Sequence, residues 1–496
     1  MEGLRIRPEQ DEFDALAREW PLVPAWTELS ADVSTPVGVF PSLAGDGPGA
    51  LLESVERSER WGRYSFVAGD PAAIVSVDGD GTRISSVARD LGFPDVVADR
   101  AVPSLRRVAH ALRAPHLPGL PPLTGGLVGL LTYEAAGLLD GHPCPAGGET
   151  PSPPIHLLAI DRAVVFDHWK QRLFLVSHAR RYEEAADALE HLAERIREAR
   201  PPAAEPLGET GAFDPGPAED AFGFTESVQR AKEHILAGDI FQVVLSRRRS
   251  APAPEGGLPI YRRLRVANPS PYMFFLRVPG LELAGSSPEP LVRVEGRRVI
   301  TRPIAGTYPR DPDPEEDRRL ELALLADPKE RAEHAMLVDL ARNDIGRVCK
   351  AGSVRPTELM SVERFSRVMH IVSTVEGELR EELSPLDALA ATFPAGTVTG
   401  APKRRAMEII RVEEQVARGP YAGAVGYLTF AGDLDFCITI RTAVIADGVA
   451  SVQSGAGIVA DSDPSRELQE TEAKASALLA ALGGAPAAPE RIGAER

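Results

Sequence analysis

Short apolar, β-branched runs follow one another through this chain with no helix regularly placed between them, and that order limits the folds open to it. In the first 200 residues AAIVSV, AVVFDH and RLFLVSHA alternate with proline and glycine punctuation. Beyond residue 223, VVLSRRR, YMFFLRV, LVRVEG, HIVSTVEG, VGYLTF and FCITIRTAVI read as strands. Helical periodicity is confined to 182–200, 225–237, 330–345, 401–412 and 466–482, with Thr225 at the N-cap position of the second and Gly238 at its C′ position. Parallel strands need a crossover helix between them. The pattern therefore predicts an α+β fold with largely antiparallel sheets.

One break in composition divides the chain. In 182–200, Ala185, Leu189, Leu192 and Ile196 form an apolar stripe among charges. The following stretch, PPAAEPLGETGAFDPGPAED, collects prolines, glycines and acids without periodicity, which marks a linker over 201–222. The expected organisation is an N-terminal domain (1–200), the linker, a C-terminal domain (223–484) and a flexible tail (485–496). GGLVGLLTY (125–133) and AGAVGYLTF (422–430) share their glycine spacing, either by chance or because the two parts carry related sheet elements.

The net charge of −17 excludes nucleic acid as the main partner, since phosphate backbones call for a basic surface. Cys144, Cys349 and Cys437 are far apart and lack CxxC spacing, so neither a disulfide framework nor a structural zinc site is expected. The acidic N-terminus has no apolar segment of signal-peptide type, and no run is long enough to span a membrane. A cytoplasmic protein is the expectation.

Several residues draw attention for their chemistry. Glu333 shares a helical face with Met336, Leu337 and Leu340, and Glu470 lies in line with Ala473, Ala477 and Ala481 with Lys474 at i+4. Each acid alone reads as a cap or a surface pair. Two acids from separate helices also suit Mg²⁺, which leaves its other positions to water and an anionic substrate. His370 stands in a strand, as an ordinary packed residue or as a proton carrier titrating near neutrality. FPAGTVTGAPKRRAMEII reads as a loop through Thr397 into a helix, whose N-terminus can bind an anion or simply be capped. PIAGT (303–307) and GAGIV (455–459) read as glycine turns that match neither the P-loop nor the dinucleotide fingerprint, which argues against ATP and NAD. Arg441 interrupts an apolar run and suits either a carboxylate ligand or an internal ion pair.

Taken in order, SPE (287–289), RPIAGTYPR (302–310), ERAEHAMLVDLARND (330–344), VMHIVSTVEG (368–377), AGTVTGAPKRRAME (395–408), YAGAVGY (421–427), IRTA (440–443), QSGAGIVADSDP (453–464) and ETEAKA (470–475) resemble the chorismate-utilising enzymes, most closely the anthranilate synthase component I family. LLES (51–54), RWGRYSF (60–66) and GGLVGLLTYE (125–134) extend the resemblance more loosely into the first part. The resemblance implies a sandwich-like core of antiparallel sheets with helices outside. It implies that Glu333 and Glu470 hold Mg²⁺, and that Gly306, Thr307 and Gly455, Ala456 and Gly457 contact the ring carboxylate of chorismate. Thr397, Tyr421 and Arg441 would face the enolpyruvyl group, and Glu289 and His370 would transfer protons.

The implied reaction joins ammonia to C2 of chorismate and expels pyruvate, giving anthranilate, the first committed step towards tryptophan. A sister family making 4-amino-4-deoxychorismate carries lysine in PIKGT, where this chain has Ala305, so ammonia itself must be the nucleophile. None of the cysteines stands in a GxCxG elbow, which implies a separate glutamine amidotransferase subunit as ammonia source. Feedback inhibition by tryptophan is implied at Glu53, Ser54, Pro271, Tyr272 and Met273. Two other outcomes stay open on sequence alone: a synthase that stops at 2-amino-2-deoxyisochorismate, and a non-catalytic tryptophan-binding relative.

Overall fold

The computed structural model describes residues 4–54, 62–96, 100–142, 152–200, 202, 218, 223–364, 368–414 and 416–483. The first part contains α1 (Gln10–Ala17), β1 (Val23–Ser30), α2 (Pro36–Ala44), β2 (Gly49–Glu53), β3 (Tyr64–Gly69), β4 (Ala73–Asp78), β5 (Gly81–Ser85), α3 (Ala101–Ala111), β6 (Gly126–Leu131), α4 (Ala135–Asp140), β7 (Ile155–Ile160), β8 (Arg162–Asp167), β9 (Arg172–Ala179) and α5 (Tyr182–Arg197). The second opens with α6 (Phe224–Leu236), β10 (Gln242–Pro252), α7 (Gly257–Ala267), β11 (Tyr272–Val278), β12 (Leu281–Ser287), β13 (Pro290–Glu295), β14 (Arg298–Thr301) and β15 (Ile304–Pro309). It continues through α8 (Pro314–Ala326), α9 (Pro328–Gly346), β16 (Arg355–Arg364), β17 (Val368–Glu378) and α10 (Pro385–Thr392), then a 3₁₀ turn (Gly396–Val398). It closes with β18 (Gly400–Ala401), α11 (Lys403–Glu414), β19 (Ala424–Thr429), β20 (Leu434–Ile438), β21 (Thr442–Ala446), β22 (Val449–Ile458) and α12 (Pro464–Ala481).

Both sequence parts contribute to both sheets. One sheet runs β1-β9-β8-β3-β2-β11-β12-β21-β22-β10-β18, the other β15-β17-β14-β13-β20-β19-β6-β7-β4-β5 with β16 on β17. Each paired ladder is antiparallel. Reading outward from the β2/β11 junction, β2-β3-β8-β9-β1 repeats as β11-β12-β21-β22-β10; outward from β6/β19, β6-β7-β4-β5 repeats as β19-β20-β13-β14. The two parts thus share one topology around a pseudo-two-fold axis. The glycine echo seen in the sequence sits on that axis, where Gly129 pairs with Gly426. A Cβ on Gly129 would run into the His156 carbonyl of β7, and one on Gly426 into the Asp435 carbonyl of β20, the equivalent strand.

Packing follows the layers. Phe174, Val165, Leu276 and Phe274 of the first sheet meet Val128, Leu130, Leu158 and Val425 of the second, forming the inner core. Helices α1, α2, α5, α7 and α12 cover the outer face of the first sheet, and α3, α4, α9 and α10 that of the second. The stripe expected in 182–200 is the buried face of α5. α6 is capped by Gly223 rather than Thr225, whose hydroxyl turns to Glu226, whereas Gly238 takes the expected left-handed conformation. Cys349 and Cys437 are buried free thiols, and Cys144 and most of the expected linker lie outside the described residues. No described helix is long and apolar enough to cross a membrane.

Candidate active site

The second part differs from the first by one insertion. β15, α8, α9, β16 and β17 have no counterpart among the described residues before 200. They bring Gly306, Thr307, Glu333 and His370 to the end of the sandwich where the chain twice passes from one sheet to the other.

The first of these crossings, from β12 to β13, carries Glu289; the second, from β20 to β21, carries Arg441. The apolar run FCITIRTAVI, read from sequence as one strand, is therefore two strands in different sheets. Arg441 takes φ +51° at the corner between them, which explains how a charge can interrupt the run. The corners are stitched together: Ile438 N donates to Glu289 O at 3.0 Å, Ser287 Oγ to Ile438 O at 2.6 Å, and Ser286 N to Arg441 O at 3.0 Å.

Burial pushes the Glu289 carboxyl up to about 7, opposed by the Thr397 hydroxyl and by Lys474. Thr397 lies in the 3₁₀ turn, its buried Oγ1 close enough to act on the Glu289 carboxyl but outside ordinary hydrogen-bond geometry with any described residue. The two residues line a partly open pocket that extends along Leu337, Leu340 and Ala341 of α9. Desolvation lowers the pKa of the Arg441 guanidinium, against the pull of Tyr421 and Glu470. No carboxylate among the described residues lies within 4.0 Å of it, so the internal ion pair that the sequence left open is not formed.

Gly306 is no simple turn. It is the extra residue of a bulge between β15 and β17, at φ +69°, and the shift in register sets Thr307 opposite His370. His370 Nδ1 lies 2.9 Å from Gly306 O, and since a carbonyl only accepts, Nδ1 carries the hydrogen. Burial and Arg441 both lower the imidazole pKa, so the ring is neutral at pH 7.

Glu333 of α9 and Glu470 of α12 come together as expected. Burial raises the pKa of Glu333, and Glu470 adds to that shift. Glu330 and Glu467, not singled out in the sequence, join them: burial raises both, with further contributions from Glu333 and Glu470 for the former and from Glu470 for the latter. Carboxylates offer the hard oxygen donors that Mg²⁺ prefers, and Glu333 and Glu470 are the pair that would hold it. No group of three or more ligating side chains is poised for a metal among the described residues, so the fit rests on the carboxylate pair with a substrate anion.

The surface pair expected of Glu470 is also present, Lys474 Nζ standing 2.5 Å from Glu470 Oε1 and donating to Gly455 O at 3.1 Å. Of the helical stripe read through Glu470, Ala473, Ala477 and Ala481, only Ala481 is buried; α12 otherwise buries Thr471, Ala475 and Leu478, and Glu470 is exposed.

Gly455, Ala456 and Gly457 belong to β22 and pair with Ser246, Leu245 and Val244, so the glycine turn expected there is a strand. Crowding requires glycine at 455, where a Cβ would come within 2.6 Å of the Tyr421 hydroxyl and 2.8 Å of Leu245 O, whereas one on Gly457 would displace only the amide end of Gln242. Beneath Tyr421 lies Arg418, fully buried, which bonds both oxygens of Glu414 (2.7 and 2.6 Å), Val398 O (2.7 Å) and Val244 O (2.8 Å). It ties together the segments carrying Thr397, Tyr421 and Gly457, and no periodicity in the sequence marks it.

The residues expected to bind tryptophan lie elsewhere in the first sheet. Glu53 pairs with Met273 across β2 and β11, and its buried carboxylate receives Tyr261 Oη at 2.6 Å and Arg265 Nη2 at 3.1 Å. The adjacent Ser54 Oγ is buried without a hydrogen-bond partner among the described residues. Tyr272, following Pro271, points away from this group, since strand alternation turns it into the inner core, where its hydroxyl donates to Asp435 Oδ1 at 3.0 Å.

Residues 58–480 match the family of chorismate binding enzymes. Anthranilate synthase component 1 of Streptomyces coelicolor is 47% identical over 97% of this chain and 93% of its own length. The component 1 of Acetivibrio thermocellus is 42% identical over 96% and 98%. The crystal structure of anthranilate synthase component I from Streptococcus pneumoniae superposes with a TM-score of 0.72 at 36% identity, covering 91% of this chain and 99% of that one. MenF, the menaquinone-specific isochorismate synthase from Escherichia coli, shares the fold at a TM-score of 0.66 and 21% identity. Over nearly its whole length, from the paired sheets to the insertion that carries the acids, the chain belongs to the chorismate-binding enzymes, in the anthranilate synthase component I family.

Proposed function

We propose that the chain converts chorismate and ammonia into anthranilate, pyruvate and water. The observation that carries this reading is the meeting, at one end of the sandwich, of a buried Arg441 guanidinium with no carboxylate in ion-pair contact among the described residues, a neutral His370 and a Glu289 poised near neutrality.

Hydroxide is a poor leaving group, so loss of the C4 hydroxyl as ammonia adds at C2 calls for a proton donor. Glu289, protonated in a large fraction of molecules at pH 7, meets that need. Removal of the C2 proton, with departure of pyruvate, calls for a base, and the unprotonated nitrogen of His370 is suited to it because Nδ1 is held by Gly306. Arg441 and the Tyr421 hydroxyl grip the enolpyruvyl carboxylate. The backbone of Gly306 and of Gly455–Gly457 approaches the ring carboxylate closely because no side chain intervenes. Glu333 and Glu470 would hold Mg²⁺, which supplies charge neutralisation for that carboxylate. Ala305 offers no amine, which leaves ammonia as the nucleophile.

Ammonia comes, in this reading, from a separate glutamine amidotransferase subunit, the chain acting in the cytoplasm. Tryptophan inhibits from the group around Glu53, Ser54 and Met273. The test is direct: chorismate, ammonium and Mg²⁺ should give anthranilate fluorescence with one pyruvate per anthranilate. A non-aromatic amino acid accumulating without pyruvate would show that the reaction stops at 2-amino-2-deoxyisochorismate. An inert chain would support the non-catalytic alternative.

A further inference from the structure

α9 buries His334, Leu337, Val338 and Ile345. The three aliphatic residues lie at or beyond its midpoint. The half that bears Glu330 and Glu333 is therefore anchored by a single buried side chain, the fully buried imidazole of His334. An aliphatic residue would bury its area there with no polar group to satisfy, so packing alone gives no reason for a histidine.

What the imidazole meets is Ser373 of β17, also fully buried. His334 Nε2 shares a hydrogen bond with Ser373 Oγ at 2.6 Å, and Nδ1 makes none with any described residue, so the polar hold of His334 rests on that hydroxyl. Other segments of the insertion meet at the same serine. Its Oγ accepts from Met360 N at 2.9 Å, at the bulge in β16 where Met360 takes φ +56°. Its amide donates to Pro303 O at 3.2 Å, at the break between β14 and β15. Three residues earlier β17 carries His370, opposite Thr307 of β15. At the start of α9 Tyr308 Oη donates to the N-cap carboxylate of Asp327 at 3.2 Å. The rotation of the helix is a separate matter, set by what it buries. Apolar contacts are non-directional and tolerate a turn about the axis, whereas a short hydrogen bond does not. Successive residues stand about 100° apart around a helix, so a fixed His334 fixes the direction of Glu333. Glu330, four residues before His334 and so on the same face, lies against Gly306, where an added Cβ would meet its Oε2 at 3.1 Å.

We propose that His334 is a positioning residue: through its bond to Ser373 it sets the rotation of α9 on β17, and so the direction in which Glu333 is presented to Glu470. This rests on the reading of Glu333 and Glu470 as the residues that hold Mg²⁺. The polar pair refers the carboxylates of α9 to the strand that carries His370 and to the entry of the strand that carries Gly306 and Thr307. A buried polar pair of this kind selects one arrangement out of several that apolar packing would accept.

The experiment measures Mg²⁺ affinity by titration calorimetry on the full chain with saturating chorismate and no ammonia, so that no turnover occurs, alongside the melting temperature without metal. His334→Leu keeps an apolar side chain in the buried position and loses the bond. It should weaken Mg²⁺ binding by about tenfold or more, while its metal-free melting temperature falls by no more than about 3 °C. His334→Gln, whose amide reaches towards Ser373 from the same position, should bring Mg²⁺ affinity back to within about threefold of wild type. Ser373→Ala should match His334→Leu, and serves if that variant does not fold. The double variant should lose no more than either single one, because both remove the same bond. Wild-type Mg²⁺ affinity in the folded His334→Leu or Ser373→Ala protein, or equal losses in the Leu and Gln variants, overturns the proposal and leaves His334 a packing residue. A wild-type chain that binds no Mg²⁺ beside chorismate overturns the metal reading itself, and this proposal with it.

Discussion

The Thr397 hydroxyl opposes the upward shift of the Glu289 carboxyl where the chain crosses between sheets. It favours the ionised form, so its removal leaves burial less opposed and the acid form persists to higher pH. Thr397→Val should move the alkaline limb of kcat/KM upward from about pH 7, while the acidic limb, set by His370 below its usual value, stays in place. A pH–rate profile of ammonium-dependent anthranilate formation reads both limbs. An unmoved alkaline limb would remove Glu289 from the acid role.

The same shift has a cost in stability. A carboxyl raised from 4.5 to about 7 binds more protons in the folded than in the unfolded state across that interval. Stability contributed at low pH is therefore lost as pH rises through the window, and the loss is complete above about pH 7. Glu289→Gln removes the titration. It should be more stable than wild type at pH 8 by on the order of 2 kcal/mol, the cavity beside the carboxyl admitting water that softens the full effect. Near pH 4.5 the two should differ little. Urea unfolding at both pH values gives the comparison.

The first part of the chain shows what the corners become without a substrate. The crossings equivalent to those of Glu289 and Arg441 carry Asp70 and Asp161, and Arg89 closes them. Arg89 bonds both oxygens of Asp161 (2.8 and 2.9 Å) and reaches Asp70 Oδ2 at 2.9 Å. Asp161 is 3% exposed. Arg89→Met should cost about 3 kcal/mol by removing both hydrogen bonds to that carboxylate and leaving it only the looser ion pair with Arg162 Nε at 3.6 Å, and adding Asp161→Asn should recover part of the loss. A double-mutant cycle in urea measures the coupling, and additive losses would contradict it.

Legibility in the sequence followed the physics of each feature. Strands such as YMFFLRV are legible because burial on both faces makes the whole run apolar, and the stripe of α5 because burial on one face imposes a period. The glycine echo left chance and related sheet elements both open, and only the topology around Gly129 and Gly426 decided for the second. FCITIRTAVI concealed a change of sheet because both of its halves are buried; the misplaced arginine was the one local sign of the corner. The strand at Gly455–Gly457 reads as a turn because glycine in a strand, demanded at 455 by Tyr421 and Leu245 from distant segments, has no local signature. Arg418, Glu330 and Glu467 were missed for the same reason: what sets them apart is burial against residues far off in the chain.

The carboxylates of α9 and α12 offer the last test. Burial and mutual repulsion hold Glu333, Glu330 and Glu467 above their ordinary values, an electrostatic load that a divalent cation relieves. Lys474 relieves it in part through Glu470, so a metal entering the site must draw Glu470 away from an ammonium. Mg²⁺ with chorismate should therefore raise the melting temperature of the wild-type chain, with apparent Mg²⁺ affinity falling as pH drops and the raised carboxyls take up protons. Glu333→Gln and Glu470→Gln should each weaken that affinity by about tenfold or more while leaving the metal-free melting temperature unchanged or higher. Thermal shift across a Mg²⁺ series at pH 6 and pH 8 measures both effects. An unaltered metal response in either variant would place the cation elsewhere.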